Sequence, residues 1–405
     1  MGREDILVGL EIGTSKVCVV VGEVDKREDG PIRILGVGQA PSRGVRKGEI
    51  VDFETAHKCV REALVDAEEK SDVTIGSVFV SVTGGHIESF NNRGGVNLPE
   101  DRDEIVESDY EEVALVARDA NIPQANAFLH SILQRYYVDG QSGVLNPVGM
   151  LGRKLEADFH IIHGVGNRIK NTVRCVKEIG LDVEDVAFSG LAAAQVVLTQ
   201  HHKDLGALMI DIGGGTTDYV MYLNGAIVKS GVLAVGGDHI TNDISYGLRI
   251  PMGRAERLKI EHGHCLIEAA EPGDMIRLGD EPGFAGREIE RQILYTIIHY
   301  RVREIFELLM RKINSDSVFD LLGAGVFITG GCSYLRGIQE LAQEIFGLPV
   351  HVARAQSTSG IMAASENPQL AVGIGLLRYG QLTYNNQRPY RMGLLERVMS
   401  IFGRR

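Results

Sequence analysis

Two stretches of this chain, about 200 residues apart, constrain its fold more than any other feature. Ile6 to Ile12 is apolar and β-prone, carries Glu11 near its end, turns through Gly13-Thr14-Ser15 and Lys16, and resumes as a β-branched run from Val17 to Val21. Ala207-Leu208-Met209-Ile210-Asp211 does the same. It passes through Ile212-Gly213-Gly214-Gly215-Thr216-Thr217-Asp218 and continues as a strand from Tyr219 to Leu223. Each reads as strand, acid, glycine turn, strand. A repeat at this distance is far longer than a solenoid period and implies duplication of a whole domain.

Two further glycine-centred segments follow. Gly236-Gly237-Asp238 opens a helix over Ile240 to Leu248, and Ile328-Thr329-Gly330-Gly331-Cys332-Ser333 follows an apolar strand. Glycines let backbone N–H groups approach phosphate oxygens, and Thr and Ser hydroxyls add donors. Lys16 supplies a point positive charge for phosphates, and Asp211 stands where a carboxylate can hold Mg²⁺ through water. Any one of these segments is as readily a plain hairpin turn; all four in this order point to a phosphate-binding cleft. Neither G-x-x-x-x-G-K-[ST] nor G-x-G-x-x-G occurs, which sets aside the P-loop and dinucleotide fingerprints.

The 405 residues suffice for two to four domains. A formal net charge of −12 argues against nucleic acid as the main partner. Five scattered cysteines without a C-x-x-C argue against a disulfide framework and fit a reducing cytoplasm. The opening residues lack a signal-peptide pattern, and no run of about 18 apolar residues is present to span a membrane. Helical periodicity places Ala56, Val60, Ala63, Leu64 and Ala67 on one face of Phe53 to Lys70. Residues 86–162 change texture, with an acidic amphipathic stretch bearing Val113, Leu115 and Val116, and read as an α+β insert. Arg287 to Ile313 reads as one long helix, Leu191 to Gln200 and Tyr334 to Phe346 as further helices, and Leu382 to Pro389 as a polar linker.

The four segments resemble those of the actin, heat-shock chaperone and sugar-kinase superfamily. Within it the chain is similar to the FtsA family of bacterial division proteins over nearly its whole length. The stretches VGLEIGTSKV, YYVDGQSGVLNPVGMLGRKLE, DIGGGTTD, AERLKIEHG and ITGGCSYLRGIQEL carry that resemblance. It implies an α/β, duplicated actin-like ATPase fold with a small α+β insert. A first subdomain would comprise residues 1–84 completed by 163–196, interrupted by an insert at 85–162. The second half would comprise 197–224 completed by 303–388, interrupted by an upper subdomain at 225–302. ATP and Mg²⁺ would lie between the halves, with Glu11 and Asp211 at the metal water and Glu256 and Lys259 at the ribose and base. A solvated helical charge pair is the plainer reading of Glu256 and Lys259. Ser189-Gly190-Leu191 stands where many relatives carry an acid or amide that orients the attacking water, and Glu11 replaces the usual Asp. ATP binding is therefore expected and hydrolysis left open, at most slow.

The last stretch, 389–405, reads as a linker and a basic amphipathic helix. Leu394, Leu395, Val398, Met399, Ile401 and Phe402 form its apolar half, and Arg397 and Arg404 lie on the polar side. This pattern suits an anionic membrane surface; docking on the protein's own core is the alternative. The resemblance implies a peripheral protein on the cytoplasmic side of the membrane at the division site. It would self-associate into filaments, anchor the ring of the tubulin-like protein FtsZ, and meet other division proteins. It places the FtsZ tail on residues 225–302, with Arg301 as a rim contact or simply part of a solvated face. A sugar or small-metabolite kinase of the same superfamily is the alternative function.

Overall fold

A computed structural model describes residues 6–25, 30–280, 285–313 and 318–385. Two mixed sheets form the body. The first has the order Asp182–Phe188, Ser77–Val82, Ile6–Ile12, Lys16–Val24, Ile32–Pro41, Thr358–Gly360. The second has the order Ala226–Leu233, Thr217–Leu223, Ala207–Ile212, Gly325–Thr329, Val350–Val352. In both, a three-strand antiparallel meander is followed by a strand parallel to its first member. The register repeats as well: Glu11 lies opposite Cys18, and Asp211 opposite Asp218. The two strand–acid–turn–strand stretches thus occupy equivalent places in two copies of one topology.

Burial explains the composition of these strands. Val17 to Val21 and Leu208 to Ile210 are fully buried, so both read as continuous apolar runs without alternation. Helix Phe53–Ser71 starts where the Asp52 carboxylate accepts from Thr55 N at 3.2 Å and ends at Asp72 in the left-handed region. It buries the face expected from its periodicity, with Cys59 added. It lies close on strand Ile32–Pro41 because Gly38 has no side chain; a Cβ there would come 2.1 Å from Ala63 O. Helices Ser189–Val197 and Ala371–Asn385 pack equally closely through small residues: a Cβ on Gly375 would come 2.0 Å from Ala192 O.

The insert is a four-stranded sheet, Glu88–Asn97, Lys154–Val165, Asn126–Val138 and Gln141–Val144, covered by helix Glu107–Arg118. Val113, Ala114 and Ala117 of that helix meet Leu155, Ala157, Phe159 and Ile161. Leu115 and Val116, expected on the buried face, are instead 63% and 43% exposed. Asp109 takes part of the buried stripe because Arg102 pairs with both its oxygens, at 2.5 and 2.7 Å.

Five other expectations are corrected. Arg287–Glu290 is a strand paired with Met275–Leu278, and the long helix is Arg291–Ile313. Helix Ser189–Val197 ends before Thr199, which caps a separate helix Gln200–Leu205. Gly331–Tyr334 is a 3₁₀ turn, and the following helix begins only at Ile338, after Gly337 at φ 74°. Residues 303–388 do not all complete the second half. Thr358–Gly360 pairs with Ile32–Ile34 on the edge of the first sheet. Helix Ala371–Asn385 takes up Leu382 to Asn385 from the expected linker, and its Leu376 and Leu377 pack with Leu7, Val20 and Phe79 of the first half. Two chain-end elements thereby return to the first sheet, as its exposed apolar faces require.

Candidate functional site

The two glycine turns meet at the centre of the molecule. Each is closed by the same backbone hydrogen bond: Gly13 N donates to Lys16 O at 3.0 Å, and Gly213 N to Thr216 O at 2.9 Å. They touch across the gap, where a Cβ on Gly215 would come 2.5 Å from Thr14 Oγ1 and one on Gly214 would come 3.1 Å from Ser15 Cβ. The third segment docks on the second: Gly237 N donates to Gly213 O at 2.9 Å, and Asp238 N to Gly214 O at 2.8 Å. The first N–H groups of helix Gly237–Leu248 are thereby spent on the second turn, and the start of the helix is held beside it. Gly330 closes the fourth side at φ 85°, and a Cβ there would come 2.1 Å from Asp211 Oδ1.

Together the four segments line a cleft of about 320 Å³, the size of a small-molecule site. Of the residues expected there, all but three line it. Thr217 is fully buried and its hydroxyl donates to Val235 O at 2.8 Å. Ser333 turns inward and donates to Gly330 O at 2.7 Å. Gly236 lies under the second turn, where a Cβ would come 2.6 Å from Gly213 O. These three shape the loops from behind.

The floor carries surplus acid. Lys16 Nζ lies 3.6 Å from Glu11 Oε2, which is buried without a hydrogen-bond partner. Burial pulls the Lys16 ammonium down, but the charges of Glu11 and Asp211 contribute to holding it above its ordinary value. Burial, and then the nearby Glu11, push Asp211 up to about 7. Burial and Asp211 push Asp218 well above the usual carboxylate range. No three acidic, His or Cys side chains among the described residues converge closely enough to ligate a metal directly. Glu11 and Asp211 are the carboxylates of this floor that could hold a cation through water.

Lys259 is not half of a fully solvated charge pair, although Glu256 stays exposed. It is 7% exposed, bonds to Glu256 at 2.7 Å and to Gly237 O at 3.2 Å, and so ties the third loop to helix Met252–His262. Sequence reasoning missed other lining residues, among them Thr83, Asp218, Asp238, Tyr334 and Arg336. Asp218 and Asp238 stand inside the quoted motifs, so their position was available; Thr83 follows a strand and precedes Gly84-Gly85, a weaker signal of the same kind.

Arg301 is not a free rim arginine. Its Nε and Nη2 bind both oxygens of Asp243, at 2.5 and 3.1 Å, and Nη1 binds Glu304. It clamps helix Arg291–Ile313 to helix Gly237–Leu248. Tyr246, Ile293 and Tyr300 are exposed large apolar or aromatic side chains on these two helices. The tail residues Leu394, Leu395, Arg397, Val398, Met399, Ile401, Phe402 and Arg404 lie outside the described residues.

Comparison with known proteins agrees with this architecture. The family model for "Cell division protein FtsA" matches residues 208–375, and that for the "SHS2 domain inserted in FTSA" matches 84–163. The chain is 39% identical over 378 residues to the cell division protein FtsA of Pseudomonas aeruginosa, covering 93% of this chain and 89% of that one. It is 35% identical to that of Escherichia coli, covering 94% and 91%. Among solved structures, the PilM–PilN type IV pilus biogenesis complex superposes with a TM-score of 0.64 at 16% identity, covering 93% of this chain and 98% of that one. MreB5 of Spiroplasma citri bound to ADP gives 0.55 at 16% identity, covering 95% and 100%. The chain shares the actin-like ATPase fold of these structures.

Proposed function

The chain belongs to the FtsA family of cell division proteins, and from that premise we propose that it binds Mg-ATP in the central cleft and tethers the division ring to the membrane. The observation that carries the first part is the pair of glycine turns meeting over a floor of buried acids with one lysine. A triphosphate chain needs backbone donors and a neutralising cation together, and this cleft offers the donors and the acids to hold the cation. The ADP in the MreB5 structure supports a nucleotide in this fold. Lys16 would face the phosphates, Glu11 and Asp211 would orient the metal water, and Glu256 and Lys259 would meet the ribose and base.

The second part rests on the tail and on family membership. Arg391, Arg397, Arg404 and Arg405 against Glu396 leave three net positive charges over the last 15 residues. Near an anionic leaflet these contribute about 3 kcal/mol, which alone gives millimolar-range binding. Burial of Phe402, Ile401 and their neighbours adds the rest, and filaments of the protein multiply the contact. The full chain should co-sediment with vesicles containing anionic lipid, and deletion of residues 392–405 should abolish this while leaving the melting temperature within about 1 °C. Retained vesicle binding together with a large fall in melting temperature would make the tail part of the protein core.

The FtsZ tail would dock on the outer face of helices Gly237–Leu248 and Arg291–Ile313, where Tyr246, Ile293 and Tyr300 are exposed. Tyr300→Glu should weaken binding of an FtsZ tail peptide about ten-fold or more, since aromatic anchors dominate such contacts. Arg301→Glu should weaken it only through loss of the Asp243 clamp, seen as a lower melting temperature. Equal peptide affinity for Tyr300→Glu and the parent would remove this face from the reading.

A further inference from the structure

We propose that a second cavity, formed where the insert meets both halves, binds the phosphate headgroup and first acyl carbons of an anionic lipid. Its volume is about 470 Å³, against about 320 Å³ for the central cleft. The insert supplies Arg118 and residues 130–133 of a strand. Helices Ser189–Val197 and Ala371–Asn385 supply Leu191 and Leu382, and the second half supplies Lys203 and Ile227. Small-molecule sites concentrate in such junctions between packed domains.

The chemistry of the wall is one-sided. The chain carries 54 acidic against 42 basic side chains, yet the described residues lining this cavity include Arg118 and Lys203 and no acid. Lys203 Nζ donates to a neutral partner, Gln195 Oε1, at 3.1 Å and lies 5.2 Å over the Tyr222 ring. Two acids flank the site, and each accepts from a neutral wall residue: Asp185 from Tyr379 at 2.7 Å, and Asp204 from Gln200 at 2.8 Å. Ser131 Oγ is buried with no hydrogen-bond partner. An oxygen of an anionic ligand would accept from that hydroxyl and sit in the field of both cations.

The rest of the lining selects a ligand with an apolar part. Leu191 and Ile227 are buried, whereas Leu133 and Gln200 are exposed, so the cavity opens to solvent where these two stand. A bare phosphate would leave the leucines and Ile227 unused. The cavity also lies at the root of the tail. Leu382 and Thr383 line it, and only residues 386–391 separate the end of their helix from the stretch 392–405. That link extends to at most about 25 Å. The choice of a lipid over a free phosphate ester rests on reading 392–405 as a membrane tail. A tail on the leaflet keeps headgroups within reach at high effective concentration. The cavity is then a second contact with the leaflet, and one that touches the insert and both halves at once.

The test titrates the full chain with dihexanoylphosphatidylglycerol below its micelle concentration, read by calorimetry and by melting temperature. Dihexanoylphosphatidylcholine and glycerol phosphate are the comparison ligands. The anionic lipid should raise the melting temperature by about 2 °C at ten times its dissociation constant. The choline lipid, equally apolar but without net charge, should bind about ten-fold more weakly or worse, and so should glycerol phosphate, which lacks the acyl chains. Lys203→Gln should weaken the anionic lipid about ten-fold. Leu133→Glu, a charge at an exposed position, should do as much by repulsion. Both variants keep the tail, so their loss places the lipid in the cavity. Their melting temperatures without ligand show that they are folded, and either one alone suffices if the other is not. No binding of the anionic lipid, or equal binding by parent and variants, overturns the inference and leaves the tail reading standing, because that reading is measured by vesicle sedimentation. Equal affinity for glycerol phosphate overturns the lipid assignment in favour of a free phosphate ester, and equal affinity for the choline lipid overturns the part given to the cations.

Discussion

Gly330→Ala should abolish the rise in melting temperature that Mg-ATP produces in the parent chain. Ligand present at 100 times its dissociation constant stabilises a protein by about 2.7 kcal/mol, and this whole increment should vanish. Gly330 stands at φ 85°, and a Cβ there would sit 2.1 Å from Asp211 Oδ1 and 2.7 Å from Ile212 O. Ile212 O cannot yield without moving the strand end that carries Asp211. Gly330 has ψ 176°, a positive-φ extended conformation in which a side chain costs about 1–3 kcal/mol, so the variant will also melt lower without nucleotide. Gly347 separates the two effects. It has φ 65° with nothing within 4 Å of an added Cβ, so Gly347→Ala suffers the strain without touching the cleft. It should melt lower yet keep the full ATP increment. An undiminished increment in Gly330→Ala would mean that the fourth loop does not border the nucleotide.

Much of this site could be read before any coordinates, because its chemistry is local in sequence. Glu11 to Lys16 and Asp211 to Thr216 each close within one hairpin, so strand pattern and glycine spacing locate them. What escaped depends on contacts between distant segments. Thr83 matters only because it reaches Asp218, 135 residues away. Arg301 looked like a free surface charge because Asp243, its partner, is 58 residues away. Thr217 and Ser333 have the right chemistry at the right spacing, yet small rotations of each loop aim them at carbonyls behind the cleft. The return of Thr358–Gly360 and Ala371–Asn385 to the first sheet left little trace either. The helix Ala371–Asn385 is rich in Gly and Leu, as a helix between two layers would be, and nothing in that composition says which layers. Arg287–Glu290 was absorbed into the helix after it because four residues are too few to show a period of two.

The acid floor also predicts how stability depends on pH. Burial and Glu11 move Asp211 from its ordinary 3.8 to about 7 in the folded chain. Between those values the folded chain holds a proton that the unfolded chain has lost, so stability falls as pH rises through this window. The contribution is fully present below 3.8 and gone above about 7, a span of roughly 4 kcal/mol. His86 and His160 act in the opposite sense. Burial lowers both from 6.5 to about 4, so they cost stability as pH drops below 6.5. The whole-protein curve mixes the two, and the informative quantity is the difference between Asp211→Asn and the parent, measured without nucleotide and with a chelator. Asn needs no proton to be neutral, so the variant should gain on the parent as pH rises, by about 2–3 kcal/mol between pH 5 and pH 8. That corresponds to a few degrees in melting temperature. Asp218, raised partly by Asp211, relaxes in the same variant and adds to the gain. Saturating Mg-ATP should shrink the difference, because a bound cation favours the carboxylate that only the parent has. Parallel curves for the two proteins would show that Asp211 is already charged in the empty cleft, and that its floor is not short of a cation.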